Sequence, residues 1–175
     1  VLFTDFKGFT SLSEQLGIDE LHKELDYCFR GFDDIVEKYG VEKIKTIGDS
    51  YMCASGVPSP NKDHALLIVK VGLEMRDFVE KWKAQNEQIG KRPWQIRIGI
   101  HSGPLVSGVI RKKKFAYDIW GNTVNAASRM ESSGEVGKVN ISETTYALVK
   151  NEFNFTYRGK IVAKNLGEVG MYFVN

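Results

Sequence analysis

Two strand-like runs, VEKIKTI and SYMCASGV, are separated only by Gly48 and Asp49. A two-residue Gly-Asp connection of this kind specifies a tight antiparallel hairpin, because glycine supplies the positive φ that such turns need. The rest of the chain must be arranged around that hairpin. Before it, VLFTDF reads as a short buried strand that stops at the Gly-containing loop KGFTS. Between strand and hairpin, Leu21, Leu25, Cys28, Phe29, Phe32, Ile35, Val36 and Tyr39 recur at helical spacing, and Gly40 ends the run. After the hairpin a long helical pattern runs from about Asp63 to Gln88, and IRIGI resumes the strand pattern.

The order strand, helix, hairpin, helix, strand is that of an α+β, ferredoxin-like split βαβ sheet with helices on one face and the other face open. C-terminal additions follow: the strand-like LVSGVI, a polar hairpin region RKKKFAYDIWGN, a short helix TVNAASRMESSG, and the strands VNIS, FTYRGK and VGMYFV around the helix ETTYALVK. Lys43 and Lys45 alternate along the first hairpin strand, so they are expected on one face, and a strand buried on both sides would not tolerate them. With 175 residues, 42% of them hydrophobic, the chain is expected to form one domain spanning residues 1–175. The 24 Lys and Arg against 22 Asp and Glu leave a net charge of +2, which gives no support for a nucleic-acid partner. Cys28 and Cys53 suit a reducing compartment better than a disulfide scaffold. No run approaches the length of a membrane span, so the domain itself is expected outside the membrane and in the cytoplasm. The chain opens in mid-strand at Val1 without Met, as a piece of a longer protein would.

Asp5 ends the first strand and Asp49 sits in the hairpin turn, and in this topology the two strands lie side by side. Mg²⁺ takes hard oxygen ligands, usually one or two carboxylates, with the remainder from water and substrate phosphates. Taken singly, each aspartate also suits a loop or turn. As a pair at adjacent strand ends they form a candidate metal site. Gly99, Gly103 and Gly108 point to close backbone packing rather than a phosphate loop, because no Gly-Lys-Ser/Thr follows them. The run Arg111 to Lys114 reads as a solvated hairpin tip. None of His22, His64 and His101 lies in a motif that demands a general base, and His101 is expected to be structural.

FTDFKGFTSLSE, KTIGDSYM, IRIGIHSGPLVSGVI and YDIWGNTVNAASRMES, in that order and across nearly the whole chain, resemble the catalytic domain of class III nucleotide cyclases of the adenylate cyclase type. The resemblance implies cyclisation of ATP to 3′,5′-cyclic AMP and pyrophosphate, using a pair of Mg²⁺ or Mn²⁺ ions. Asp5, the backbone carbonyl of Phe6, and Asp49 would hold them. Lys45 and Asp118 would read the base. Lysine only donates hydrogen bonds and ionised aspartate only accepts them, which matches the N1 acceptor and 6-amino donor of adenine; guanylate cyclases tend to carry Glu and Cys at these places. Asn125 and Arg129 lie on one face of a helix at i, i+4 spacing. By resemblance Asn125 orients the ribose, and Arg129 contacts charge developing on the phosphate. Lys164 in AKNLG matches the first lysine of a KGKG-like segment and is implied in triphosphate binding, whereas Leu166 replaces the second.

The resemblance also implies a homodimer in which each site takes metals from one chain and base-binding and transition-state residues from the other. The Arg111 to Lys114 run would lie in an arm reaching towards the partner subunit, and an upstream regulatory domain would belong to the parent protein. Two rivals remain at this point. One is a guanylate cyclase, which Lys45 and Asp118 oppose. The other is a catalytically silent, nucleotide-binding regulatory domain, which the set Asp5, Asp49, Asn125 and Arg129 opposes.

Overall fold

The structure, a computed structural model, describes residues 1–110, 116–163 and 167–175. In chain order these form β1 (Leu2–Phe6), α1 (Phe9–Gln15), α2 (Ile18–Lys38), β2 (Glu42–Ile47), β3 (Ser50–Ala54), α3 (His64–Gln88), β4 (Ile96–Ile100), β5 (Val106–Ile110), β6 (Ala116–Trp120), α4 (Asn122–Ser132), β7 (Val139–Ser142), α5 (Glu143–Val149), β8 (Phe155–Ala163) and β9 (Gly167–Val174). The main sheet runs β2-β3-β1-β4-β7-β9-β8, and β5 pairs with β6 separately. Its first four strands are antiparallel neighbours, as the ferredoxin-like reading expects. The additions enter through β7, which pairs parallel to β4.

Local chemistry accounts for the main elements. In α2 the buried Cys28, Phe32, Ile35 and Val36 form one stripe, while Asp19 and Glu20 in the first turn and Lys38 in the last complement the helix dipole. The hairpin turn is as expected: Gly48 adopts φ 60° and the ladder closes at Ile47 and Ser50. Helix α1 forms where the sequence predicts only the Gly-containing loop KGFTS and no helix. Only Leu12 of this short helix is buried, so its apolar signal is too sparse for a periodic pattern.

The first hairpin strand departs from expectation in one informative way. Lys43 opposes Cys53 and Lys45 opposes Met52, so Ile44 is an extra residue, a β-bulge. The bulge turns the two lysines to opposite faces. Lys43 pairs with Asp33 of α2, whereas Lys45 pairs with Asp118 of β6.

One face of the sheet, built from Leu2, Phe6, Tyr51, Cys53, Ile96, Ile98 and Ile100, packs against α2 and α3. The other face is not fully open. Val1, Phe3, Met52 and Ala54 are covered by Ala127 of α4 and Ile119 of β6. Helix α4 comes close because Gly99 lacks a side chain: a Cβ there would overlap the backbone of Met130 and Glu131. A Cβ at Gly103 would meet Thr123 Oγ1 at 2.7 Å, whereas the nearest atom to one at Gly108 is 4.0 Å away, so close packing explains the first two glycines and not the third. His101 is buried with Nδ1 2.8 Å from Ser142 Oγ, a structural position. Cys28 and Cys53 are both buried and free. No helix of the described residues is long and apolar enough to cross a membrane.

Candidate active site

Alternation along β1 sends Leu2 and Phe6 towards α2 and α3, and Phe3 and Asp5 towards the α4 side. Asp49 reaches the same place from the hairpin turn, where its Oδ2 accepts the Phe6 amide at 3.1 Å. Asp5, Phe6 and Asp49 are thus brought together. Burial, and then the charge of Asp5, raise the Asp49 carboxyl above its usual range. Two carboxylates in that relation favour a cation. Among the described residues no group of three or more His, Cys, Asp or Glu gathers for a metal. The set expected from the sequence, the Asp5 and Asp49 carboxylates with the Phe6 carbonyl, would suit a hard cation that keeps water or phosphate as its other ligands.

Two charged residues outside the set expected from the sequence, Arg97 and Glu131, complete this end. Arg97 is the cross-strand neighbour of Asp5, and its Nη2 donates to Asp5 Oδ2 at 2.6 Å. Its Nε lies 3.0 Å from Glu131 Oε1 on α4. Glu131 is only 8% exposed, and burial, followed by the charge of Asp5, pushes its carboxyl up to about 7 while Arg97 opposes the rise. Sequence signals for both existed. Arg97 interrupts an otherwise apolar strand, IRIGI, and Glu131 continues the stripe of Val124 and Ala127 on α4.

Lys45 and Asp118 form a second centre. Lys45 Nζ donates to Asp118 Oδ2 at 2.6 Å, and Asp118 Oδ1 accepts the Ile119 amide at 2.9 Å. Burial would raise the Asp118 carboxyl, but these bonds outweigh it and lower it. The side chains are 43% and 22% exposed, so the pair contributes little to stability, about 0–1 kcal/mol, and is accessible to a ligand. Asn125 and Arg129 occupy the exposed side of α4, opposite Ala127 and Glu131, and so point away from the Asp5 centre of their own chain. Lys164 and the run Arg111 to Lys114 lie outside the described residues.

The mostly antiparallel sheet with its packed helices is the architecture of class III cyclase structures. The adenylyl cyclase CyaB from P. aeruginosa superposes with a TM-score of 0.93 at 34% identity, covering 99% of this chain and 91% of that one. The guanylate cyclase domain of RhGC from Catenaria anguillulae, in complex with GTP, gives a TM-score of 0.91 at 31% identity, covering 99% and 93%. In sequence, an adenylate cyclase of Mycobacterium tuberculosis is 37% identical over 174 residues, 99% of this chain but 38% of that protein's length. The family model for the adenylate and guanylate cyclase catalytic domain matches residues 1–175. The chain belongs to this family, the class III nucleotide cyclases, whose members similar to it include enzymes named for either purine.

Proposed function

We propose that the chain is the catalytic domain of an adenylate cyclase, converting ATP to 3′,5′-cyclic AMP and pyrophosphate as a homodimer. The observation that carries the choice of purine is the 2.6 Å bond between Lys45 and Asp118. It holds one pure donor beside one pure acceptor, the pattern that complements adenine N1 and its 6-amino group. Guanine presents the reverse pattern and would leave both groups facing their like, at a cost of several kcal/mol in a polar-specific site.

In the reaction the ribose 3′ oxygen forms a bond to the α-phosphorus, the bond to the β-phosphate oxygen breaks, and the 3′ proton is released. Two divalent cations, Mg²⁺ or Mn²⁺, held by Asp5, the Phe6 carbonyl and Asp49, would favour ionisation of the 3′ hydroxyl and neutralise the departing pyrophosphate. Arg97, which stays protonated and donates to Asp5, adds positive charge at the same end. Asn125 orients the ribose and Arg129 stabilises charge on the transferring phosphate. Lys164 is assigned to the triphosphate on sequence alone.

Support for a two-chain site comes from directions. Lys45 and Asp49 are close in sequence but turn to separate centres, one paired with β6 and the other with β1. Asn125 and Arg129 sit on the side of α4 away from Glu131 and Arg97. A dimer with a two-fold axis would complete two equivalent sites from these parts.

Assaying the purified protein with ATP and with GTP tests the purine. ATP should be preferred, and Lys45→Glu with Asp118→Cys should move the ratio of kcat/KM towards GTP by roughly a hundredfold or more. An unchanged preference would mean that the base is read elsewhere.

A further inference from the structure

Arg97 has two carboxylates within reach and a well-formed bond with only one. Its Nη2 donates to Asp5 Oδ2 at 2.6 Å. Its Nε lies 3.0 Å from Glu131 Oε1, yet both atoms are buried and neither completes a hydrogen bond with a described atom. The distance is right and the direction wrong. Buried polar atoms left in this condition are costly. The arrangement is a second bonding state, half formed.

The first state conflicts with metal binding. Arg97 engages Oδ2, one of the two Asp5 oxygens open to a divalent cation, and a cation bound there repels the guanidinium. Resting on the metal assignment above, we propose that Glu131 is a positioning residue that receives Arg97 when a divalent cation takes Asp5. The guanidinium turns, Nη2 leaves Asp5, and the Nε–H aligns with Glu131 Oε1. Among the described residues Asp5 and Glu131 are the acidic partners of Arg97, so without the Glu131 carboxylate the guanidinium competes with the cation for Asp5.

The location of Glu131 suits this role. Gly99 follows Arg97 at the next position on the same strand face, and the α4 backbone at Met130 and Glu131 presses directly on it. The backbone that carries Glu131 is therefore held against the strand, and with Nε already 3.0 Å from Oε1 a small rotation of Arg97 is enough to make the second bond. Burial keeps water from substituting for Glu131.

The test is a double-mutant cycle read by Mn²⁺ affinity, measured by electron paramagnetic resonance on nucleotide-free protein, with thermal melts to establish that each variant folds. Glu131→Gln should weaken Mn²⁺ binding about tenfold when Arg97 is present, and less than about twofold in an Arg97→Gln background, which has no guanidinium to receive. Equal weakening in both backgrounds would mean that Glu131 acts only as a nearby negative charge, and would overturn the proposal, as would no weakening in either. Asp5→Asn separates the two layers of inference: if it binds Mn²⁺ as well as the wild type does, the metal assignment itself is wrong. A second readout needs no change at Glu131. In wild-type protein the Arg97 Nε–H resonance, assigned with Arg97→Lys, should move downfield and slow its exchange as Mg²⁺ saturates the site. An unchanged resonance at saturation would also overturn the proposal.

Discussion

The two faces of the main sheet are built from different materials. Towards α2 and α3 the packing is continuous and aromatic: Phe6 meets Trp94 edge-on at 5.0 Å, and Phe32 meets Tyr51 edge-on at 5.4 Å. Towards α4 the apolar contacts split into two small clusters, one around Phe3 and Met52 and one around Met130 and Met171. Asp5 and Arg97 lie on strands between them, capped by Glu131. A continuous apolar face has one good arrangement and fixes the fold. A face interrupted by charge contributes less to stability, and it places charged groups where a ligand can meet them. The difference assigns stability mainly to one side and chemistry to the other, and substitutions on each side should separate the two.

The largest effect is expected at Asp49. Asp49→Ala should lower kcat/KM for ATP by roughly a thousandfold or more, because a charge-stabilising ligand is lost from the reacting centre. Stability should hardly move. The variant loses the bond to the Phe6 amide but also relieves the burial and Asp5 repulsion that raise the Asp49 carboxyl, so the net change should stay within about 1 kcal/mol. Urea denaturation alongside the assay checks both halves. Full Mg²⁺-dependent activity would remove Asp49 from the metal site, and a large loss of stability would break the division between faces.

Phe32→Ala is the converse, and its expected effect is the next largest. Phe32 is fully buried on the aromatic face, so truncation should cost about 3–5 kcal/mol of stability, read as a lowered urea midpoint. Whatever fraction remains folded should keep its KM for ATP. A raised KM in folded protein would show that the aromatic face also shapes the site.

The aromatic face was also the more legible one in the sequence. The periodic apolar residues of α2 and α3 and the Gly48-Asp49 turn are local signals, and they gave the ferredoxin-like order of elements. The α4 face depends on contacts between distant residues. The bulge at Ile44, which sends Lys43 to Asp33 and Lys45 to Asp118, arises from the register of two strands and leaves no mark in the alternation itself. The bond between Arg97 and Asp5 depends on the pairing of β1 with β4 across 92 residues, so no local pattern could supply it. The convergence of Asp5 with Asp49 was nonetheless foreseeable, because the hairpin and the first strand had to be neighbours once the topology was set.

The smallest expected effect asks whether the chemistry on the α4 face is completed within one chain or between two. Asp49→Ala and Asn125→Ala chains should each be inactive alone, because every site in either homodimer lacks one essential group. In a mixed dimer with two-chain sites, one site combines both defects and the other takes Asp49 and Asn125 from unaltered positions. With free subunit exchange in an equal mixture, about half of the dimers are mixed and each has one of its sites whole, so activity should recover to about a quarter of wild type. The figure assumes equal dimer affinities and independent sites, and crosslinking or light scattering establishes that mixed dimers form. Recovery to that level would place Asn125 on the opposite chain from the Asp49 it serves, in keeping with a helix that turns Glu131 inward to Arg97 and Asn125 outward. If mixed dimers form and activity stays at the level of the single variants, Asp49 and Asn125 act from the same chain. The outward face of α4 would then need a different explanation.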